Sequence, residues 1–239
     1  MPKVAIVAAL DREVSALTRH CTRVEKEHQD RKFSFFEQDD LVIVCGGIGL
    51  EAARRAAEAV IALYRPSLLE SVGFAGALDE ALHVGNVFTP AVVVDARDGS
   101  RFQLEGGKGT LVTFMTVAGA EQKANLARAY GATAVDMEAA AVGAAAQARR
   151  IQFGVIKVIS DELRFELPEM ERFIDAQGLF KEACFVLFAI LRPWLWPRVA
   201  ALAVNSRKAA KMLDRHLQGF LQQSRAAVEA NVTQLSSKE

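Results

Sequence analysis

The stretch Ala134-Val135-Asp136-Met137-Glu138-Ala139-Ala140-Ala141-Val142 decides how this chain reads. An apolar run of strand type over 133–137 passes straight into an alanine-rich helix expected over 138–149, and a carboxylate is left at the joint. A charge between two apolar elements is costly to bury and needs a reason. Two more acidic residues stand in similar places: Glu13 follows the apolar run 4–10, and Asp161 follows the run 155–160. Ligands of open α/β sheets bind in crevices outside the carboxyl ends of strands. Together these residues point to one carboxylate-lined cleft, and so to an enzyme.

Outward from that joint, apolar β-branched runs alternate with helical stretches, which is the pattern of βαβ units around a mostly parallel sheet. Residues 4–10 form a strand buried on both faces, followed by a helix over 11–20 that Asp11 can cap. A hairpin is expected from 33–37 and 41–45 around Gln38-Asp39-Asp40, and Gly46-Gly47-Ile48-Gly49 leads into a helix over 50–64 that Pro66 stops. Further strands are expected at 68–74 (closed by Ala75-Gly76), 87–95, 101–104, 110–114 and 153–159, with a helix over 120–130. From Pro168 the period is helical, with a break at Arg192-Pro193-Trp194-Leu195-Trp196-Pro197, and 232–239 reads as a polar, frayed end.

Length and composition suit one domain with a substantial core: 239 residues, 51% hydrophobic and 24% charged. The expected division is a core over 1–165, C-terminal helices over 166–222 that complete it, and a polar tail over 223–239. Twenty-nine basic residues balance twenty-nine acidic ones, so no global field recruits nucleic acid, and no nucleic-acid partner is expected. Cys21, Cys45 and Cys184 are far apart without metal-ligand spacing, and Met1-Pro2-Lys3 runs directly into a strand, so a cytoplasmic location and no metal are expected. None of His20, His28, His83 and His216 sits at an expected strand end, so no histidine chemistry is assigned.

Five segments carry a resemblance, in their order: Ala8-Ala9-Leu10-Asp11-Arg12-Glu13-Val14, Gly47-Ile48-Gly49, Gly73-Phe74-Ala75-Gly76, Val135-Asp136-Met137-Glu138-Ala139 and Ile159-Ser160-Asp161. They resemble the purine and uridine phosphorylase superfamily over about the first two-thirds of the chain. Within it the chain looks like the branch that holds methylthioadenosine/S-adenosylhomocysteine nucleosidase and futalosine hydrolase. The resemblance implies a three-layer α/β/α sandwich around a twisted mixed sheet, a homo-oligomer, no cofactor, and cleavage of the N-glycosidic bond between ribose and a purine. It also implies roles. Glu138 would accept hydrogen bonds from the ribose hydroxyls, with Met137 under the sugar; Asp161, oriented by Ser160, would protonate purine N7; and Glu13 would activate water. Phe74, Ala75 and Gly76 would line the base and ribose pocket. On local grounds alone, Glu13 reads first as an exposed first-turn glutamate favoured by the helix dipole, and Asp161 can be an N-cap of the next segment.

Two departures bear on the substrate. Phe74 stands where nucleosidases often carry serine, and Leu10 where they carry methionine, which suits a bulkier or more apolar substrate. No clear phosphate-binding set is present, although Arg12 near Gly47-Ile48-Gly49 could hold an anion, so water leads phosphate as acceptor and phosphate stays open as a co-substrate. The run 183–191 and the segment Arg192 to Arg198 are apolar but too short for a span of ~20 residues. Basic residues at Arg198, Arg207, Lys208, Lys211 and Arg215, interleaved with Val199, Leu202, Val204, Met212 and Leu213, suit either an interfacial amphipathic helix with tryptophan anchors or a core helix. The segment is similar to hopanoid-associated members of the superfamily, which implies adenosylhopane as a lipid-linked nucleoside substrate and peripheral contact with a membrane. A small thioadenosine, phosphorolysis, and a silent nucleoside-binding scaffold are the alternatives.

Overall fold

The computed structural model describes residues 4–166, 171–175 and 177–236, with side chains through 220 apart from 182 and 183. The chain forms β1 (Val4–Ala8), α1 (Asp11–Thr18), β2 (Thr22–His28), β3 (Arg31–Gln38), β4 (Leu41–Cys45), α2 (Leu50–Tyr64) and β5 (Leu68–Ala77). There follow β6 (Val87–Phe88), β7 (Val92–Asp95), β8 (Arg101–Gln103), β9 (Thr110–Thr113), α3 (Ala120–Tyr130), β10 (Ala134–Asp136), α4 (Ala139–Ala148), β11 (Gln152–Asp161), α5 (Glu182–Ile190) and α6 (Trp196–Ser236).

One mixed sheet runs β2-β3-β4-β1-β5-β10-β9-β7-β8, with β11 joined to β5. β5 organises it. Its first half is clasped by parallel β1 and β11, and its end pairs antiparallel with β10 through Gly76 and Ala77. The expected α/β sandwich is therefore the observed one. Alanine dictates the closeness of one layer: Ala53, Ala56 and Ala57 of α2 and Ala139, Ala140 and Ala146 of α4 are buried, and with no side chain beyond Cβ the helices lie close to each other and to the sheet. On the other face α1 and α6 bury Val14, Leu17, Ala209, Leu213 and Leu217 against Ile156 and Val158.

Several expectations change. β2 was missed because its sequence, TRVEKEH, alternates with charges and buries none of its residues fully; it adds as an edge strand, antiparallel to β3. The run 87–95 is two strands because Pro90 has no N–H to offer a ladder. Asp11 does not cap α1; the Glu13 carboxylate reaches back instead and accepts from the Ala9 and Leu10 N–H groups at 3.0 Å. Glu13 is buried, so the exposed-glutamate reading fails. Asp161 lies within β11, after a register shift at Ile159/Asp161, and caps no helix. Pro168 lies outside the described residues, and beyond it the chain is not continuously helical: 171–173 is one 3-10 turn, Ile174 bridges Phe180, and the helix begins only at α5. The break after α5 is a single 3-10 turn, Pro193–Leu195, and helical backbone continues to Ser236 through most of the stretch expected to fray. Finally, Leu213 of α6 faces the core, not an interface.

Candidate active site

The eight residues singled out above line one cavity: Glu13, Phe74, Ala75, Gly76, Met137, Glu138, Ser160 and Asp161. They arrive from four directions. β1 delivers Glu13 through the first turn of α1, β5 delivers Phe74 to Gly76, and β11 delivers Ser160 and Asp161. β10 runs antiparallel to β5, so Met137 and Glu138 enter from the opposite side and complete the enclosure. The rim is formed by Thr116, Val117, Ala118 and Ile174, and the Glu171 carboxylate latches its two parts by accepting from the Val117 N–H at 2.9 Å.

Glu13 is held by three backbone donors: Ala9 and Leu10 at one oxygen, and Phe74 N–H at the other at 3.3 Å. Gly73 makes this possible, since a Cβ there would stand 3.1 Å from the carboxylate oxygens. Burial pushes the Glu13 carboxyl up, and the backbone donors and Lys157 offset only part of that. A buried carboxylate with raised basicity is what a water-activating base needs.

Glu138 sits at the N-terminus of α4. It accepts from the Gly49 N–H at 3.0 Å, which gives the Gly46-Gly47-Ile48-Gly49 turn a use different from anion binding. Burial pushes its carboxyl up to about 7, against the lowering by Lys157, while Asp136 and Glu13 add to the rise. Asp136, to which no role had been assigned, anchors the joint: it accepts from Thr113 Oγ1 at 2.6 Å, the Ala139 N–H at 2.8 Å and Lys157 Nζ at 2.8 Å. The Lys157 ammonium lies 3.9 Å from Glu138. Burial alone pulls Lys157 down, and Asp136, Glu138 and Glu13 together outweigh that and hold it above its ordinary value.

On the far wall Asp161 accepts from Ser160 Oγ at 2.7 Å through Oδ1 and from Lys123 Nζ through Oδ2. Gly76 is required here, because a Cβ would come within 2.8 Å of Asp161 Oδ2. Lys123, fully buried on α3, was missed by sequence reasoning; nothing in a helix with an otherwise ordinary polar pattern marks one lysine as internal. Lys157 was legible, as a lone cation inside an apolar strand run.

The cavity measures about 160 Å³, below the ~300 Å³ at the small end of ligand sites. A larger depression of about 990 Å³ lies at the amino-terminal ends of β5 and β11, near Leu68 and Gln152. Size does not locate the chemistry; the converging carboxylates do. Arg12 is exposed and is not part of the cavity wall.

Comparison with known proteins agrees with this architecture. A 5'-methylthioadenosine/S-adenosylhomocysteine nucleosidase of Staphylococcus aureus is 25% identical over 195 residues, covering 66% of this chain and 86% of that protein. The futalosine hydrolase of Helicobacter pylori superposes with a TM-score of 0.68 at 14% identity, covering 93% of this chain and 98% of that one. The S-adenosylhomocysteine nucleosidase of Streptococcus pyogenes, solved with 5-methylthiotubericidin, gives a TM-score of 0.68 at 18% identity, covering 93% and 97%. The sequence profile of the Phosphorylase superfamily matches residues 3–116 and 108–192, which takes in every wall of the cavity. This chain belongs to the phosphorylase superfamily.

Proposed function

We propose that the chain is an N-glycosidase that releases adenine from an adenosine-type nucleoside. The observation that carries this reading is the convergence of Glu13, Glu138 and Asp161 on one cavity, with apolar surface from Phe74 and Met137 between them. Departure of a purine builds positive charge on the ribose and negative charge on the base. Glu138 accepts from the ribose 2′- and 3′-hydroxyls and its charge favours the developing cation; Asp161, steadied by Ser160, protonates N7; Glu13 takes the proton of the attacking water. Water is favoured over phosphate because no arginine is part of the cavity wall among the described residues, and the Gly49 N–H is already engaged by Glu138.

The finer reading is a substrate whose 5′ substituent is a lipid, with adenosylhopane leading and a small thioadenosine second. It is supported by where the rim leads. Ile174 borders the cavity, and the chain runs from it within a few residues into α5 and the following turn. Val186, Leu187, Ile190, Leu191, Trp194 and Trp196 are exposed there, beside Arg192 and Arg198. Patches of large apolar side chains on a surface mark interaction sites, and tryptophan beside arginine suits a membrane interface. No single described helix is long and apolar enough to cross a membrane; α5 and the segment after it qualify only as a pair bent by 106°. The interfacial surface is thus α5, the turn and the first part of α6, while Ala209, Leu213 and Leu217 of α6 pack on the core.

Adenine release is the test. The protein, supplied with adenosylhopane in liposomes, methylthioadenosine and inosine, each with and without phosphate, is expected to release adenine without phosphate and to leave inosine uncleaved. Binding without turnover of any of them refutes the enzyme reading, and strict dependence on phosphate replaces hydrolysis with phosphorolysis.

Two consequences can be measured separately. A 2′-deoxy analogue denies the buried Glu138 carboxylate one of its two ribose donors and costs about 1–3 kcal/mol, or roughly 5- to 150-fold in kcat/KM. Equal specificity constants for ribo and deoxy substrates would remove Glu138 from ribose binding. The protein should also co-sediment with anionic liposomes, and Trp194→Ala with Trp196→Ala together should weaken this while sparing turnover of soluble methylthioadenosine. Liposome binding that is absent at low salt, or untouched by the double change, refutes the membrane reading.

A further inference from the structure

Asp161 is already spoken for at both oxygens. Ser160 Oγ donates to Oδ1 at 2.7 Å, and the Lys123 ammonium donates to Oδ2 and, at 2.7 Å, to the carbonyl of Glu162. A carboxylate that accepts at both oxygens holds no proton to give away, yet the proposed reaction needs one delivered to purine N7. Lys123 is the donor in contact. It is fully buried, and together with Asp161 it forms part of the cavity wall. Placing an ammonium inside a protein carries several kcal/mol of desolvation, and an apolar side chain of similar length would serve α3 equally well for packing. What an apolar residue would not supply is the counter-charge of Asp161, the donor to the Glu162 carbonyl, or a proton.

We propose that Lys123 supplies the proton that Asp161 delivers to the purine, so that the leaving group is protonated through a lysine–aspartate relay. This rests on the nucleosidase reading of the site. Lys123 Nζ gives a proton to Asp161 Oδ2, and as the bond from C1′ to the purine breaks and its electron pair moves onto the base, the carboxyl so formed passes a proton to N7. Asp161 ends as it began. The neutral amine takes a proton from solvent before the next turnover, and Glu13 returns to solvent the proton it took from water, so charge and atoms balance over the cycle. Lys123 acts through Asp161 and is a positioning residue. Ser160 holds the second oxygen in place and supplies no net proton.

Two substitutions separate a relay from a fixed counter-charge. Lys123→Arg keeps the cation and its donors, but guanidinium does not give up a proton in a protein. Lys123→Met removes charge and donor at similar length. With an adenosine-type substrate both are expected to lose about 10²-fold or more in kcat at little change in KM, the range for losing general-acid assistance. With 4-nitrophenyl riboside, whose leaving group departs without protonation, Lys123→Arg should stay within a few-fold of the parent. Circular dichroism and thermal melting establish that the variants are folded.

Full adenine release by folded Lys123→Arg overturns the relay, leaving Lys123 as a fixed cation. An equal loss on both substrates also overturns it, since the defect then lies in the geometry of the site and not in proton supply. If Lys123→Met does not fold, the arginine variant decides alone. A parent protein that cleaves no nucleoside refutes the nucleosidase reading itself, a result distinct from an active parent with an unimpaired arginine variant.

Discussion

Asp161→Asn is expected to lower turnover of adenosine-type nucleosides by about 10²–10⁴-fold, the contribution of a positioned general acid. Asparagine keeps the shape and still accepts from Ser160 or Lys123 through its one oxygen, but it carries no acidic proton. The structure attaches a second expectation. Lys123 is buried against Asp161, so the neutral substitution strands an ammonium in the interior, and breaking such a pair costs about 3–5 kcal/mol. Loss of activity in the single variant is therefore read only where circular dichroism establishes the native fold. The double change Asp161→Asn with Lys123→Met removes both charges and should recover most of that stability while staying inactive. A folded Asp161→Asn protein with near-parental turnover at saturating substrate would remove Asp161 from the chemistry. A double variant that regains turnover would do the same.

Glu13→Gln is expected to produce a loss of similar size, about 10²–10⁴-fold, because glutamine does not accept the proton of water. It also disturbs the local hydrogen bonds. The carboxylate accepts from Ala9 and Leu10 through one oxygen and from Phe74 through the other, so one of these donor groups will face the glutamine amide NH₂. An unpaired buried donor costs about 1–3 kcal/mol, which should register as a lower Tm but not as unfolding. Retained turnover in a folded Glu13→Gln protein would end the water-activation role.

The pH profile follows from the same burial. Glu13 is shifted upward, Glu138 is pushed up to about 7, and both act as carboxylates, so kcat/KM should rise through an acid limb with its midpoint near 7. Stability moves the other way. Between the ordinary glutamate value of 4.5 and about 7 the folded state holds a proton on Glu138 that the unfolded chain has released, so this group's contribution falls as pH rises through that window. An acid limb centred near 4.5 in the parent would show that neither raised carboxylate must be ionised for catalysis.

Much of this was readable from residues in order. β1 announces itself as a continuous apolar run and β5 and β11 as largely apolar ones because strands buried on both faces have little polar side to show, and the alanines after Glu138 announce a helix that packs closely. Glu13, Glu138 and Asp161 stand out because each interrupts or ends such a run, where burial makes a charge conspicuous. Lys157 was available by the same logic and went unread.

What only the tertiary structure decided is how those charges are paired and which surfaces stay open. Lys123 finds Asp161 across 38 residues, and Gly49 finds Glu138 across 89; no periodicity links such positions, because each pair is created by the order in which strands are laid into the sheet. The antiparallel entry of β10, which closes the cavity, is likewise a property of the sheet and not of the three residues that form the strand. In α6 composition left the core and interfacial readings open, since a helix face is apolar for either reason. Contact with β11 and α1 settles the matter for Ala209, Leu213 and Leu217, and leaves Val204 and the two tryptophans exposed. Local chemistry determines which residues are costly to bury; the fold determines which partner offsets that cost.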